Sequence, residues 1–557
     1  WAENIEQARE TMASLSEVGI SMKEVTETLL ADAVQKFSDP FDKLLASVEK
    51  KRQSLQGGLT PQCYSVVEYA AAVQKNLEDW RVNGKVRRLW AGDTSLWSDT
   101  DENQWLGWLH IVDGQKEHSE QFREIVVDVK AAGFKHALLL GMGGSSLAPE
   151  VWKKTFGKLE GFPELHVLDS TVPSQIRAVE NKVDLGQTLF IVSSKSGGTI
   201  EPNVFKQYFL EKVKHLVGAD QAGLRFIAVT DPKTKMHDIA KKDRFRMIAH
   251  GLPSIGGRFS ALSNFGMVPM AVMGVDVVKF LDSTEIMVQS CASCVPPELN
   301  PGVALGVIMG TLAKQGRDKV TIIASPGIAS LGAWLEQLLA ESTGKAHPIT
   351  KGGTGLIPID GERVGPPEVY GPDRLFIYER LSSAPSREQE QAVAALEAAG
   401  HPGVRINLVE AMDLGQEIFR WEIATAVAGS ILGINTFNQP DVEEAKVAAR
   451  NLMAEFTASG KLPDETPIVQ DGRISLFTDP RNVDAIASAA GGSKTTDAYL
   501  NAHLKRIKPG DYFAINAYVE MNESHDRELQ AVRHAVRDAM KVATTLGYGP
   551  RFLHSTG

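Results

Sequence analysis

Leu189-Phe190-Ile191-Val192-Ser193-Ser194-Lys195-Ser196-Gly197-Gly198-Thr199 decides how the rest of this chain is read. An unbroken apolar run of this length is a strand buried on both faces, and the polar turn behind it leads into a helical pattern over Asn203 to Lys214. Strand, turn and helix make half of a βαβ unit. The turn gathers hydroxyl donors and free backbone N–H groups at a helix N-terminus, which is a seat for an anion. A phosphate monoester fits it better than a carboxylate, because its oxygens accept from hydroxyls and amides together. An ordinary polar loop capping a helix would look the same, and this stretch alone leaves both readings open.

Outward from it, apolar runs recur at Ala137 to Leu140, Leu165 to Leu168 and Phe226 to Val229, then again at Val320 to Ala324, Leu375 to Tyr378 and Val404 to Leu408. Each is followed by turn chemistry and a longer amphipathic segment. This rhythm predicts an α/β fold with two doubly wound parallel sheets, over residues 131–300 and 301–450, and ligands at the carboxyl ends of the strands. Residues 1–56 read as a helical segment, with Asp39-Pro40 as a helix start, and 57–130 as a helical connector. Gln56-Gly57-Gly58-Leu59-Thr60-Pro61 is the expected linker. Residues 451–557 read as an accessory α/β segment, with strands at Ser475 to Phe477 and Tyr512 to Tyr518 and a final helix from Glu528 to Leu546. The tail from Arg551 to Gly557 reads as a loose end.

The 557 residues carry a net charge of -10, which argues against a general affinity for nucleic acid or anionic membranes. Trp80, Trp90, Trp97, Trp105 and Trp108 crowd one region, but Asp93, Asp99, Asp101 and Glu102 among them would repel phosphates, so the rings are expected to pack rather than stack on bases. The longest weakly charged runs, Phe265 to Val275 and Gly302 to Ala313, fall short of the ~18 residues of a membrane span. The chain begins at Trp1, which leaves a removed leader or a longer parent chain open. Cys63, Cys291 and Cys294 are few enough for a reducing compartment, and the cytoplasm is the expectation. Cys291-Ala-Ser-Cys294 lacks a second pair to complete a zinc site, and no metal is expected.

Several further stretches carry chemistry. Gly141-Met142-Gly143-Gly144-Ser145-Ser146 follows the first strand but has Ser146 where a dinucleotide fingerprint needs its third glycine, although Asp169 would suit a ribose hydroxyl. The glycines with Ser145 suit a backbone that approaches a small polar ligand. Ser254-Ile255-Gly256-Gly257-Arg258-Phe259-Ser260 aims a permanent cation from a tight turn, with Phe259 placed to pack beneath it. Glu341-Ser342-Thr343-Gly344-Lys345 ends a helical run, and Asn438-Gln439-Pro440 enters a helix that carries Lys446.

Taken in order, Gly-Gly-Ser at 143 to 145, Ser-Lys-Ser with Thr at 194 to 199, Gly-Gly-Arg-Phe-Ser at 256 to 260, Glu-Ser-x-Gly-Lys at 341 to 345 and the run from Asn438 to Lys446 resemble the glucose-6-phosphate isomerase family. The resemblance implies two sugar-isomerase sheets and a reversible aldose-ketose isomerisation of glucose 6-phosphate and fructose 6-phosphate through a cis-enediol, with no cofactor. It implies Glu341 as the base, Arg258 as the stabiliser of the enediolate and Lys446 as an aid to ring opening. Ser194, Lys195, Ser196 and Thr199 would hold the phosphate end, and Gly144, Ser145 and Gln439 the sugar. A proton next to a carbonyl is weakly acidic, so such chemistry needs a positioned base together with support for the oxyanion. The chain departs from the family at the ring-opening histidine: Asp360 to Asp373 contains none, and His347 and His401 are poorly placed, which leaves Lys446, water or a group from another segment or subunit.

Asn4-Ile5-Glu6-Gln7-Ala8 and the stretch from Phe37 to Leu45 resemble the last helices of a transaldolase, as found fused to this isomerase in bacteria. That resemblance implies a transaldolase domain in cis in a longer protein, and no transaldolase activity in this piece. A sugar phosphate is the expected partner and a homodimer is open. A non-catalytic sugar-phosphate sensor on the same fold is the rival reading, but it has no use for Glu341 and Lys446.

Overall fold

The computed structural model describes residues 4–346 and 353–554. His347 lies outside the described residues, as does the side chain of Lys446. The chain forms two units, Trp1–Leu59 and Thr60–Gly557.

The first unit consists of helices Ile5–Glu17 and Met22–Gly58. Ser21 caps the second, its hydroxyl accepting from the Glu24 N–H at 3.3 Å. The helix start expected at Asp39-Pro40 is absent, because the helix continues through Pro40. Asp39 instead accepts a side-chain bond from Gln35 one turn earlier, so it is an interior residue and not a cap.

In the second unit β1 (Gln62–Ser65) comes first, where only helices were expected. Then β2 (His136–Leu140), β3 (Glu164–Leu168), β4 (Thr188–Ser193), β5 (Phe226–Thr230) and β6 (Met247–His250) form a parallel sheet in the order β3-β2-β4-β5-β6. The order reverses between β2 and β4, so the loops that leave them flank a topological switch point, where α/β sheets bind ligands. Leu189 to Val192 are fully buried, and Phe190 stacks on Phe226 at 4.6 Å beneath the flanking helices.

The second sheet begins with β7 (Lys319–Ala324). After a short antiparallel pair, β8 (Lys345–Ala346) with β9 (Gly353–Thr354), it continues with β10 (Ile357–Ile359), β11 (Arg374–Leu381) and β12 (Gly403–Leu408). Its order is β1-β12-β11-β7-β10, parallel except for β1, which runs antiparallel along β12 from Gln62↔Ile406 to Ser65↔Gly403. Thr60 anchors that edge, because Gln416 and Glu417 accept from it while Arg420 donates to its carbonyl. Helices Pro301–Ala313 and Leu414–Leu432 are almost wholly buried. They pack backbone to backbone, since a Cβ on Gly306 would fall 2.4 Å from the Ala424 carbonyl oxygen.

Beyond residue 450, β13 (Val469–Asp471) and β14 (Ile474–Leu476) form a hairpin, and β15 (Tyr512–Ala517) pairs in parallel with β16 (Ala543–Tyr548). The expected final helix is corrected: it spans Glu523–Met540, Lys541 turns into the left-handed region at φ 56°, and the chain leaves as β16. The tail is corrected too. Arg551–His554 forms a packed 3-10 turn, with Phe552 buried and Arg551 ion-paired to Glu150 (2.6 Å) and Asp169 (2.8 Å). Burial alone would raise the Glu150 carboxyl, but Arg551 and Lys154 outweigh it and bring it down to about 2. Asp169 also accepts from the Ser146 hydroxyl at 3.1 Å and is thus committed to structure, not to a nucleotide ribose. Among the described residues no helix is long and apolar enough to cross a membrane.

Candidate active site

A cleft of about 390 Å³ opens where the loops after β2 and β4 meet the turn Gly257–Phe259 and the end of helix Leu331–Thr343. Ligand clefts for small molecules begin at about this size. Met142 to Ser145, Lys195, Ser196, Thr199, Gly256 to Arg258, Glu341 and Gln439 line it, together with Trp105, Asp231, Gln337 and His554.

Arg258 is its fixed cation. The side chain is fully buried, and Nη1 donates to Glu341 Oε1 at 3.3 Å, Nε to the Ser342 hydroxyl at 2.6 Å, and Nη2 to the carbonyls of Thr436 (2.5 Å) and Asn438 (3.2 Å). Burial lowers its pKa and Glu341 pulls it back, but a guanidinium stays charged across the whole working range. The guanidinium sits 5.6 Å over Phe259, which stacks on Trp108 at 5.2 Å. Trp108 therefore packs behind the site, whereas Trp105 of the same cluster lines the cleft.

Glu341 lies in the last turn of its helix with its side chain 13% exposed, so one carboxylate face meets the cleft. Gln337, one turn earlier, donates to Oε2 at 3.1 Å while Arg258 holds Oε1. Both oxygens are thus oriented before any ligand arrives. Lys345 fixes the neighbouring wall by donating to the carbonyls of Asn435 (2.7 Å) and Asn438 (2.6 Å), beside Gln439 at the entrance to helix Pro440–Ser459.

The stretch expected to seat an anion lies at the start of helix Ile200–Val217, where Thr199 occupies the cap position without making a capping bond. Asn203 ties the loop down by donating to the carbonyls of Gly197 (3.2 Å) and Thr199 (2.7 Å). Lys195 lines the cleft and pairs with Asp231, so part of its charge is already compensated. Ser194 is the exception among the expected residues: it is 1% exposed, does not line the cleft, and its hydroxyl is buried without a partner. Gly144 closes the opposite wall, where a Cβ would come within 2.0 Å of the Gly257 carbonyl oxygen. Only glycine permits that approach.

The sequence reading missed His554. The packed turn Arg551–His554 delivers it to the cleft, its carbonyl accepts from Gln337 at 2.7 Å, and its Nε2 lies 3.1 Å from Glu201 in the first turn of helix Ile200–Val217. Burial would raise the Glu201 carboxyl, but the bond to His554 lowers it overall, so it stays ionised. His401 is remote: its Nε2 faces the Pro367 carbonyl at 3.3 Å, just ahead of β12.

Two parallel sheets with a hydroxyl-lined anion seat, a buried arginine and an oriented carboxylate at one cleft define an α/β protein of the sugar-isomerase class. The family model of phosphoglucose isomerase matches residues 110–358 of this chain. The chain is 25% identical over 428 residues to a probable glucose-6-phosphate isomerase of Methanococcus maripaludis, covering 69% of this chain and 94% of that one. A glucose-6-phosphate isomerase of Rubrobacter xylanophilus is 28% identical, over 59% of this chain and 85% of that protein. Among solved structures the fold is shared with a hypothetical protein of Thermus thermophilus, with a TM-score of 0.60 at 23% identity over 71% of this chain and all of that one. It is shared also with a glucose-6-phosphate isomerase of Chlamydia trachomatis, at 0.54 and 22% over 61% and 74%.

Proposed function

We propose that this chain interconverts glucose 6-phosphate and fructose 6-phosphate in the cytoplasm. The observation that carries the reading is the Glu341 carboxylate held between Arg258 and Gln337 in the same cleft as the anion seat. A phosphate resting on Ser196, Thr199 and the helix N-terminus fixes one end of the sugar and brings C1 and C2 to Glu341. Glu341 removes the proton from C2 of the open-chain aldose, Arg258 stabilises the negative charge that develops on oxygen, and Glu341 returns the proton to C1. One carboxylate serves both carbons, because the planar enediol presents them on one face.

The sugar ring must open first. His554 is the group we assign to that step, with Glu201 fixing its ring orientation as a carboxylate does for a general-base histidine. The side chain of Lys446, to which the family resemblance gives the same task, lies outside the described residues.

A coupled assay of fructose 6-phosphate conversion tests the reading, together with deuterium uptake at C2 in heavy water. Turnover with label at C2 is expected. Tight sugar-phosphate binding with no turnover would overturn it in favour of a sensor.

A further inference from the structure

The amino-terminal edge of the first sheet, away from the cleft, gathers three ligand-type side chains. In-register pairing sets His136 opposite Glu164 and Leu138 opposite His166. Side chains alternate along a strand, so His136, Glu164 and His166 fall on one face of β2 and β3. Nδ1 of His136 lies 3.2 Å from Nε2 of His166, with the rings inclined at 46°. One ligand atom from each of the three residues lies within 4.8 Å of the others.

We propose that His136, Glu164 and His166 form a binding site for a divalent transition-metal ion, with zinc the ion that best suits them. Two imidazole nitrogens bound to tetrahedral zinc at about 2.0–2.1 Å stand about 3.3 Å apart. The observed separation of 3.2 Å already matches that edge of the tetrahedron. Two imidazoles and one carboxylate are a donor set that zinc favours, and three protein ligands leave the fourth position to water. A simple hydrogen bond between neutral imidazoles would account for the short nitrogen separation, but not for a carboxylate at the third corner. Lys153 and Lys182 act on His166 through space and oppose a dication, so the site is weaker than a closed structural zinc centre. Bound metal would tie edge strand β3 to β2. It would take no part in the isomerisation, since the cleft is built on the loops at the opposite ends of these strands.

Titration of the tag-free chain with Zn²⁺ and with Co²⁺ tests the site, read by calorimetry, by the visible absorption of four-coordinate cobalt and by the melting temperature. One ion per chain is expected, with a melting temperature that rises as free metal increases. The double variant His136→Asn/His166→Asn should bind at least tenfold more weakly with its turnover of fructose 6-phosphate unchanged, the turnover showing that it has folded. Failure to take up metal would overturn the proposal. So would uptake that survives the double variant and disappears instead when another close pair, His237 and His250, is replaced. If the double variant does not fold, Glu164→Gln carries the test, and an unchanged affinity in it overturns the three-ligand site.

Discussion

Replacing Glu341 by Gln removes the proposed base and little else. The amide keeps the shape of the carboxylate, and its oxygen still accepts from Arg258, which now donates to Oε1 at 3.3 Å. The amide nitrogen takes the place of Oε2 and can no longer accept the bond that Gln337 donates there at 3.1 Å, on the far side of the carboxylate. Since Arg258 keeps its bonds to Ser342, Thr436 and Asn438, the buried cation stays solvated by the protein and the fold should hold. Loss of a positioned base costs ~10²–10⁴ in rate. Among the described residues the other carboxylate lining the cleft, Asp231, is paired with Lys195, so the upper end applies, about 5 kcal/mol of barrier at 1.36 kcal/mol per tenfold. The fall should appear in kcat, with KM changed by less than ~3-fold, because the phosphate seat is untouched. Glu341→Asp keeps the charge but withdraws it by one methylene, and a displacement of about 1 Å predicts a loss of ~10²-fold. A coupled assay on both variants, with a calorimetric measurement of fructose 6-phosphate binding, separates the cases. If Glu341→Gln retains kcat within tenfold of the parent, the proton is carried by another group, and the pair Glu201 and His554 becomes the first place to look.

Four further outcomes follow from the same geometry. His554→Gln should lower isomerisation of the cyclic sugar phosphates by ~10²-fold or more while sparing an open-chain aldose phosphate that cannot cyclise, which a comparison of the two substrates reads directly. Thr199→Ala should raise KM about tenfold, whereas Ser194→Ala should leave it unchanged, because the Ser194 hydroxyl does not reach the cleft. Gly144→Ala drives a methyl into the Gly257 carbonyl and should cost about 1–3 kcal/mol by denaturant titration, with activity falling as the two loops part. Burial, reinforced by Asp360, pushes the Glu336 carboxyl up to about 8; the folded state therefore holds that proton more tightly than the unfolded one, and stability declines as pH rises from about 4.5 to about 8. Glu336→Gln should flatten that decline in thermal melts taken at both ends of the window.

Much of the fold can be read from apolar runs. Leu189 to Val192, like Ala137 to Leu140 and Phe226 to Val229, is a strand buried on both faces, and only a strand hides a short continuous run that way between turns, whereas Val404 to Leu408 is buried at alternate residues. The strands that carry no such mark lie at edges or are short. Gln62–Ser65 is polar and mostly exposed, so neither hydropathy nor alternation signals it, and its place comes from Thr60 being gripped by the distant Gln416, Glu417 and Arg420. Pro40 misleads in the other direction. Its φ is compatible with a helix and it forfeits only one backbone bond, which a long helix absorbs. The final helix reads too long because charge and alanine carry a helical pattern past Met540, while the β-branched Thr544 and Thr545 belong to a strand that β15 templates.

The candidate site divides along the same line. Arg258, Glu341 and the loop from Lys195 to Thr199 sit in compact local signatures, so glycine, hydroxyl and charge at fixed spacing announce them. His554 has no such surroundings. The stretch Arg551-Phe552-Leu553-His554 is too short for periodicity, and its packing depends on two carboxylates, Glu150 and Asp169, from a distant part of the sequence, beside the first sheet. What fixes the turn is charge burial: Arg551 is the ion-pair partner of both buried acids, and removing it would strand them at a cost of about 3–5 kcal/mol. A cation between two buried acids has little freedom to move, so the chain that follows it is aimed. Three residues later that chain presents an imidazole to Glu201 and a carbonyl to Gln337, the residue that orients Glu341. The proposed ring-opening group and the proposed proton shuttle are thus set by one continuous network, and neither Asp169 nor Glu150 marks itself as part of it until Arg551 is seen between them.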